Sequence, residues 1–203
     1  MSEPAKAFAL PRLAILASGR GSNAVALMQA FASGFLPATL AQVLSNAPQA
    51  AVLEAARARG VPCQCVDSSG RTRQAHEAAL LEALRQQRVQ HLLLAGYMRL
   101  LSAQFLATFS GTVLNIHPSL LPEFPGLHAA RRQVQAGRKV VGATVHAVDA
   151  GVDTGPILLQ GSLVVEHGEA EDVTIGRILQ EVEHVIYPRA VRLFLDRLSH
   201  AKS

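Results

Sequence analysis

Short apolar segments alternate with amphipathic segments along the first half of the chain. The apolar segments have the length and composition of buried strands and are residues 13–17, 39–44, 61–66, 92–95 and 112–116. The segments between them have helical character and are residues 24–32, 50–59 and 73–88, with a short helix that begins at Ser102. This alternation is the pattern of a doubly wound, mostly parallel sheet. It therefore predicts an α/β fold.

The pattern changes after the pair Pro125 and Gly126. A helix is expected over residues 129–137, but segments 140–148 and 157–165 follow each other as paired strands without a crossover helix. This favours an antiparallel C-terminal portion. A long helical region, residues 172–198, ends the chain, and Pro188 is expected to kink or divide it. Since no repeat or linker interrupts the pattern, residues 1–203 are expected to form a single domain, with residues 1–12 as a candidate disordered segment.

The composition argues against several classes of function. The chain has 203 residues, of which 49% are hydrophobic and 17% charged, as in a globular protein. The net charge of +4 comes without a dense basic run, and only 4% of residues are aromatic, which argues against a nucleic-acid surface. No apolar run approaches the roughly 20 residues of a membrane span, and no signal-peptide pattern is present, so the cytoplasm is expected. Cys63 and Cys65 have no second pair to complete a metal site.

Residues 19–24, GRGSNA, form a glycine-rich turn between the first strand and the first helix. The turn formally matches the dinucleotide fingerprint, but that interpretation also needs an acidic residue to hold a ribose. No Asp, Glu, Lys or Arg lies between Gly21 and Leu53. We therefore expect a single phosphate at the N–H groups that begin the helix, and a side chain at position 21 is expected to block its approach. A turn that serves only strand-to-helix packing is the alternative.

The stretch NIHPSLLP, residues 115–122, presents polar groups at the end of the fifth strand. Asn115 and His117 are two residues apart, so they point to the same face of an extended chain. Pro118 favours an extended conformation at His117. We therefore expect a hydrogen-bond donor and a titratable ring side by side at the carboxyl end of a strand.

Two further residues are candidates for the same crevice. Asp153 lies in a loop flanked by Gly151 and Gly155, although a turn-capping aspartate is the alternative. His146 lies on a predicted strand and is equally compatible with the core. Five other histidines lie in polar or helical contexts where solvation is the simpler interpretation, namely His76, His91, His167, His184 and His200.

Asn, His and Asp together suit an acyl transfer in which a substrate amine attacks directly. The amide donates to a developing oxyanion, the imidazole moves a proton or stabilises charge, and the carboxylate orients the ring or a water. The sequence has no serine nucleophile in a G-x-S-x-G turn and no H-E-x-x-H metal motif. No covalent enzyme intermediate is therefore expected.

Five segments closely resemble the phosphoribosylglycinamide formyltransferases, a family within the 10-formyltetrahydrofolate transferase superfamily. They are GRGSN (19–23), LAGYMRLLS (94–102), LNIHPSLLPEFPGLHA (114–129), GATVHAVDAGVDTGPILLQ (142–160) and QEVEHVIYP (180–188). The likeness extends over residues 13–195. Methionyl-tRNA formyltransferases typically continue differently after the fifth strand and carry a C-terminal domain, and formyltetrahydrofolate hydrolases usually carry an N-terminal regulatory domain.

The resemblance implies a Rossmann-like formyltransferase fold and transfer of the formyl group of 10-formyltetrahydrofolate to glycinamide ribonucleotide. The folate is then a cosubstrate, and neither a metal nor a tightly bound cofactor is implied. Residues 13–110 correspond to the half that binds the ribonucleotide phosphate, and residues 111–200 to the catalytic and folate-binding half. A monomer or homodimer without nucleic-acid or membrane partners is expected. Hydrolysis of formyltetrahydrofolate and a non-catalytic phosphate- or nucleotide-binding module stay open as alternatives.

The resemblance also implies roles for individual residues. Its catalytic residues match Asn115, His117 and Asp153. Its ribonucleotide site matches Gly21, Ser22, Asn23, Gln180 and Glu183, although Glu183 lies at the edge of an apolar stripe and a solvated position is the alternative. Its folate site matches Arg73, Tyr97, Met98, Arg99, Leu100, Leu101, Asn115, Asp149, Ala150, Gly151, Val152 and Asp153. Arg71 competes with Arg73 for the folate contact. The Leu121–Pro122 peptide bond is expected to be cis.

Overall fold

The structure, a computed structural model, describes residues 10–201 and contains one seven-stranded sheet among them. The strands are β1 (Arg12–Ala17), β2 (Thr39–Ser45), β3 (Cys63–Cys65), β4 (His91–Leu94), β5 (Val113–His117), β6 (Val140–Ala147) and β7 (Ile157–Val164). The expectation of disorder over residues 1–12 falls largely on residues outside the described range, and Arg12 already belongs to β1. Each of the seven predicted strands is present, with β3 shorter than its apolar segment.

The helices occupy the connections that the sequence predicts. They are α1 (Ser22–Ala32), α2 (Ala51–Arg57), α3 (Arg73–Gln86), α4 (Ala103–Thr108), α5 (Ala129–Gln135), α6 (Glu171–Arg177) and α7 (His184–His200). A π-helical segment, Ile178–Glu183, joins α6 to α7. Among the described residues, no helix combines the length and the apolarity that crossing a membrane requires.

The strand order is β3-β2-β1-β4-β5-β6-β7. Strands β1 to β5 run parallel, and β6 and β7 are each antiparallel to their neighbours, as expected. The chain winds outward from β1 to β3 and then crosses back to place β4 on the other side of β1. Ligands of such sheets bind at the carboxyl ends of the strands beside this switch point.

The inner strands are continuous apolar runs because helices cover both faces of the sheet. In β1, Leu13 and Ile15 belong to one buried cluster, and Ala14 and Leu16 belong to a second cluster on the opposite face. Tyr187 of α7 is fully buried, and its hydroxyl donates to the carbonyl oxygens of Leu94 (2.9 Å) and Leu114 (3.1 Å). The C-terminal helix is thereby tied to the two central strands β4 and β5.

The expectation that Pro188 divides the C-terminal helical region was wrong, and a kink at this residue stays a prediction. Pro188 lies inside α7, and the departure from α-helical geometry is the π-helical segment that precedes α7. A proline ring clashes with the carbonyl group four residues earlier, which here belongs to His184. The widened turn ends just before that residue, so the distortion lies one turn on the N-terminal side of the proline.

Candidate active site

Ser18 ties together the loops that follow three neighbouring strands. Its N–H donates to the carbonyl oxygen of Gly96 (3.1 Å), and its hydroxyl donates to Asn46 Oδ1 (2.6 Å) and accepts from the Met98 N–H (2.9 Å). These bonds join the ends of β1, β2 and β4. The glycine turn and the loop of residues 97–101 therefore lie on the same edge of the sheet, beside the switch point.

The glycine turn begins α1 without a side-chain cap. Gly21 is the N-cap residue, adopts the left-handed conformation (φ 71°), and leaves the first N–H groups of α1 without a side-chain partner. A Cβ atom at position 21 would lie 2.5 Å from Val52 Cγ2, so it would meet the protein and not the crevice. A side chain at position 21 would therefore not block the anion directly, as the sequence suggests. It would instead displace the backbone of the turn. A cleft of about 450 Å³ beside the turn is lined by Arg20, Ser22, Val25, Ala26, Gln29 and His184.

Glu183 is buried against the beginning of α1. Its Oε2 accepts from Asn23 Nδ2 at 2.6 Å, across 160 residues of sequence. The solvated alternative for Glu183 is therefore wrong, since only 7% of the residue is exposed. Burial raises its pKa to about 7, while the hydrogen bond from Asn23 opposes the rise. Gln180 lies exposed on the same π-helical segment.

We expect Glu183→Gln to stabilise the protein above pH 7. Because the folded-state pKa of Glu183 lies above its unfolded value of about 4.5, the carboxyl contributes stability below pH 4.5 that is lost as pH rises to about 7. The glutamine carries no charge and removes this loss. Urea unfolding at pH 8 should show a gain on the order of 3 kcal/mol, and the gain should be much smaller at pH 5.

Glu181→Gln is the matched control for that experiment. Glu181 lies on the same π-helical segment but is exposed and pairs with Arg177 at 3.1 Å. It should show no gain between pH 5 and pH 8. An equal effect of Glu183→Gln at both pH values would contradict the titration of Glu183 in this range.

The end of β5 places Asn115 and His117 on one face, as the sequence predicts. His117 is 5% exposed, and its Nδ1 lies 3.3 Å from Asp153 Oδ2. Its Nε2 lies 2.9 Å from the carbonyl oxygen of Phe124, to which it donates. Both ring nitrogens thus face acceptor oxygens, an arrangement that the doubly protonated imidazolium satisfies fully.

His146 faces the same crevice from the neighbouring strand. It lies directly opposite Asn115 in the β5–β6 register, and its Nε2 is 3.3 Å from Asn115 Nδ2 and 3.5 Å from Asp153 Oδ1. Its Nδ1 lies 3.0 Å from the carbonyl oxygen of Ala147. Asp153 is therefore held between two histidines, with one carboxylate oxygen toward each ring. The sequence leaves His146 open between the core and the crevice, and in the structure His146 contacts two of the three candidate catalytic residues, Asn115 and Asp153.

The environment of Asp153 favours the carboxylate. Burial alone would raise its pKa, but the hydrogen bond from His146, the Gly126 N–H and the charges of both histidines lower the pKa below its ordinary value. The Gly126 N–H donates to Asp153 Oδ2 at 2.8 Å. Asp153 itself has a positive φ of 55°, a backbone conformation that residues other than glycine rarely adopt. The loop thus presents a charged carboxylate to the two rings.

The segment after His117 is fixed by side chains of β6 and β7. The Leu121–Pro122 peptide bond is cis, as predicted. The Thr144 hydroxyl donates to the carbonyl oxygen of Ser119 (2.6 Å) and accepts from the Leu121 N–H (3.0 Å). Gln160 Nε2 donates to the Leu121 carbonyl oxygen at 2.9 Å. The turn that carries Phe124 toward His117 is therefore anchored to the antiparallel strands.

The candidate folate residues after β4 combine exposed apolar surface with a fixed backbone. Met98 and Leu100 are 71% and 62% exposed, whereas Leu101 is buried. Arg73 Nη2 donates to the carbonyl oxygen of Leu100 at 2.9 Å, while Arg71 interacts with Asp67 instead. Arg73 is therefore the arginine that reaches this loop.

Tyr97, a half-buried residue of this loop, pairs with the buried His76 of α3. The Tyr97 hydroxyl and His76 Nε2 are 3.0 Å apart, and His76 is only 1% exposed, so the interpretation of His76 as solvated was wrong. Burial raises the pKa of Tyr97 to about 12. The phenol thus stays protonated and can serve as a hydrogen-bond partner of the imidazole.

The candidate folate residues before Asp153 form a self-contained turn. Asp149 Oδ1 accepts from the Gly151 N–H (3.0 Å) and from the Thr154 hydroxyl (2.8 Å). Ala150, Gly151 and Val152 are exposed. Asp149 Oδ1 is used within the turn, and Ala150, Gly151 and Val152 have no polar side chains. This segment therefore offers mainly backbone groups to a ligand. Within residues 10–201, no group of three or more His, Cys, Asp and Glu side chains could hold a metal ion.

Comparisons with known proteins, both sequences and solved structures, give one consistent family. Residues 11–191 match the family described as formyl transferase. The chain is 39% identical to the phosphoribosylglycinamide formyltransferase of Bacillus subtilis over 92% of this chain and 95% of that protein. The chain is also 39% identical to the trifunctional purine biosynthetic protein adenosine-3 of Drosophila pseudoobscura pseudoobscura, and it spans 15% of the length of that protein. The crystal structure of glycinamide ribonucleotide transformylase 1 from Symbiobacterium toebii superposes with a TM-score of 0.88 at 45% identity, over 92% of this chain and 88% of that one.

The family match over residues 11–191, together with the mixed seven-stranded sheet, places the chain in the formyl transferase class. Within that class, the chain belongs to the phosphoribosylglycinamide formyltransferase family, and it is a formyltransferase of de novo purine biosynthesis.

Proposed function

We propose that the glycinamide amine attacks the formyl carbon of 10-formyltetrahydrofolate directly, in a ternary complex. The new C–N bond forms as the carbonyl electrons move to oxygen, and the C–N10 bond then breaks to release tetrahydrofolate and formylglycinamide ribonucleotide. The observation that carries this proposal is the Asp153 carboxylate held between His117 and His146 beside Asn115.

Asn115 and His117 stabilise the tetrahedral oxyanion in this mechanism. Asn115 is half-buried at the end of β5 and can aim an amide N–H into the crevice. His117 Nε2 donates to the Phe124 carbonyl oxygen in the structure, so it exchanges this partner for the formyl oxygen when substrate binds. Each such group typically contributes about 10²- to 10³-fold in rate.

Asp153 moves the proton that the reaction must transfer. The attacking amine becomes positively charged and must lose a proton, while the folate N10 must gain one before it leaves. The Asp153 carboxylate, acting through His117 or an ordered water, accepts the first proton and delivers the second. No net proton is consumed, and the carboxylate returns to its starting state.

The ribonucleotide occupies the α1 side of the crevice. The uncapped N–H groups of Gly21, Ser22 and Asn23 bind its phosphate, since a helix N-terminus attracts an anion. Gln180 and Glu183 lie on the π-helical segment that packs against this turn and bind the rest of the ribonucleotide.

The folate occupies the side between the loop after β4 and the loop before β7. Exposed apolar side chains at Met98, Leu100 and Val152 offer a surface for the pterin, and the backbone groups of both loops read its edge. The remaining folate contacts come from Arg73, Tyr97, Arg99, Leu101, Asn115, Asp149, Ala150, Gly151 and Asp153. In this proposal residues 13–110 carry the phosphate-binding turn and residues 111–200 carry the catalytic residues, and each half also contributes residues to the site of the other ligand. The active form is a cytoplasmic monomer or homodimer that requires no metal.

A product assay with and without glycinamide ribonucleotide tests the proposal. Tetrahydrofolate should form from 10-formyltetrahydrofolate only when the ribonucleotide is present, with one formylated amine per folate released. Release of formate at a similar rate without the ribonucleotide would make the protein a hydrolase. Absence of turnover in both reactions, with both ligands bound, would make it a binding module.

A further inference from the structure

Glu77 is a buried carboxylate that the proposed mechanism does not use. It lies in the first turns of α3 and is only 7% exposed. Its Oε1 accepts from the Ser102 N–H at 2.8 Å and from Arg73 Nε at 3.1 Å, and its Oε2 accepts a short hydrogen bond from the Ser102 hydroxyl. Burial alone would raise the pKa of Glu77, but the hydrogen bonds from Ser102 and Arg73 lower it.

The partners of Glu77 hold the C-terminal end of the segment of residues 97–101. Arg73 donates through Nε to Glu77 and through Nη2 to the Leu100 carbonyl oxygen. Ser102 follows this segment, and its hydroxyl also caps α4 by accepting from the Phe105 N–H at 3.0 Å. Because the guanidinium is a rigid fork, its position on Glu77 fixes where its second N–H meets Leu100.

We propose that Glu77 is a positioning residue for the folate site, acting through Arg73 and Ser102 on the backbone of residues 97–101. This inference rests on the proposed assignment of that segment to the folate. The carboxylate accepts from all three donors and supplies the negative charge that pairs with the Arg73 guanidinium. A glutamine at position 77 keeps one acceptor oxygen for the Ser102 N–H and Arg73 Nε, but it carries no charge, and its NH₂ group reverses the hydrogen bond with the Ser102 hydroxyl.

Glu77→Gln should therefore raise the KM for 10-formyltetrahydrofolate about 10-fold, the scale of a lost charge-assisted hydrogen bond. The KM for glycinamide ribonucleotide should stay within about 2-fold, because its site lies across the sheet edge on α1. The dissociation constant of tetrahydrofolate, titrated alone, should rise in parallel. Amide hydrogen exchange of residues 97–101 in the ligand-free enzyme should become faster.

Glu82→Gln is the matched control on the same helix. Glu82 is exposed and pairs with Arg85 at 2.7 Å, so the same substitution there should leave both KM values unchanged. A double-mutant cycle tests the route of the effect. If Glu77 acts through Arg73, then Glu77→Gln should add much less to the folate KM in an Arg73→Ala enzyme than in the wild type.

A merely structural role of Glu77 predicts other results. Lower thermal stability with an unchanged folate KM and unchanged hydrogen exchange of residues 97–101 would overturn the inference, as would an equal rise in the KM of both substrates.

If Glu77→Gln does not fold, a second variant, Ser102→Ala, tests the same inference. It removes one contact of Glu77 at a half-buried position and should raise only the folate KM; an unchanged KM would count against the inference. If the wild-type enzyme transfers the formyl group and Glu77→Gln behaves like it, only the role of Glu77 is rejected. If the wild-type enzyme transfers no formyl group, the proposed function itself is rejected.

Discussion

Asp153→Asn should lower kcat at least about 10²-fold, the usual scale for a lost proton-transfer partner. The amide keeps an oxygen that can accept from the Gly126 N–H, so the loop should stay folded and both substrates should still bind. The amide has no negative charge for His117 and His146 and cannot accept a proton. Single-turnover rates and separate ligand titrations measure the two effects independently.

Asp67→Asn is a suitable control because Asp67 caps a turn and is not among the candidate catalytic or binding residues. Its Oδ1 accepts from the Ser69 N–H at 2.9 Å in an exposed loop. The same substitution there should leave turnover unchanged. Near-normal turnover by folded Asp153→Asn would return Asp153 to a turn-capping role, and His117 or His146 would then be the next candidates for the proton route.

The strand pattern and the short-range geometry of the site could be predicted from the sequence. Residues two apart on a strand share a face whatever surrounds them, so the pairing of Asn115 with His117 follows from local geometry alone. The absence of an acidic residue after the second strand favours a phosphate over a dinucleotide at the glycine turn, and this stays a prediction. These conclusions depend on chain geometry, which the sequence determines locally.

Burial of individual polar groups could not be predicted in the same way. His76 and Glu77 lie in the first turns of α3 at helical spacing from Leu80 and Leu84, so the helical period places them on the buried face. Their polarity nevertheless favours a solvated position, and the partners that accommodate their burial come from residues 97–102, which are distant in sequence. Glu183 is buried where a π-helical turn meets α1, and a period of 3.6 residues does not reveal where a helix widens. Contacts between residues far apart in sequence decide these cases.

Gly21→Ala should raise the KM for glycinamide ribonucleotide about 10²-fold, the scale expected when binding groups are displaced by about 1 Å. The residue must keep a positive φ, which is unfavourable for alanine, and its Cβ would collide with Val52. Relief of both conflicts moves the N–H groups that begin α1. The affinity for tetrahydrofolate should change little, because the folate site lies on the other loops.

Gly19→Ala makes the same chemical change two residues earlier. A Cβ at position 19 meets nothing within 4 Å, and Gly19 has no positive φ. This variant should bind both ligands normally, so a difference between the two alanine variants isolates the geometry of the turn from the loss of a glycine. Thermal unfolding should also show lower stability for Gly21→Ala alone. Equal loss of ribonucleotide and folate affinity in a folded Gly21→Ala enzyme would argue against a phosphate at this turn, since a general distortion of the crevice would then explain the defect.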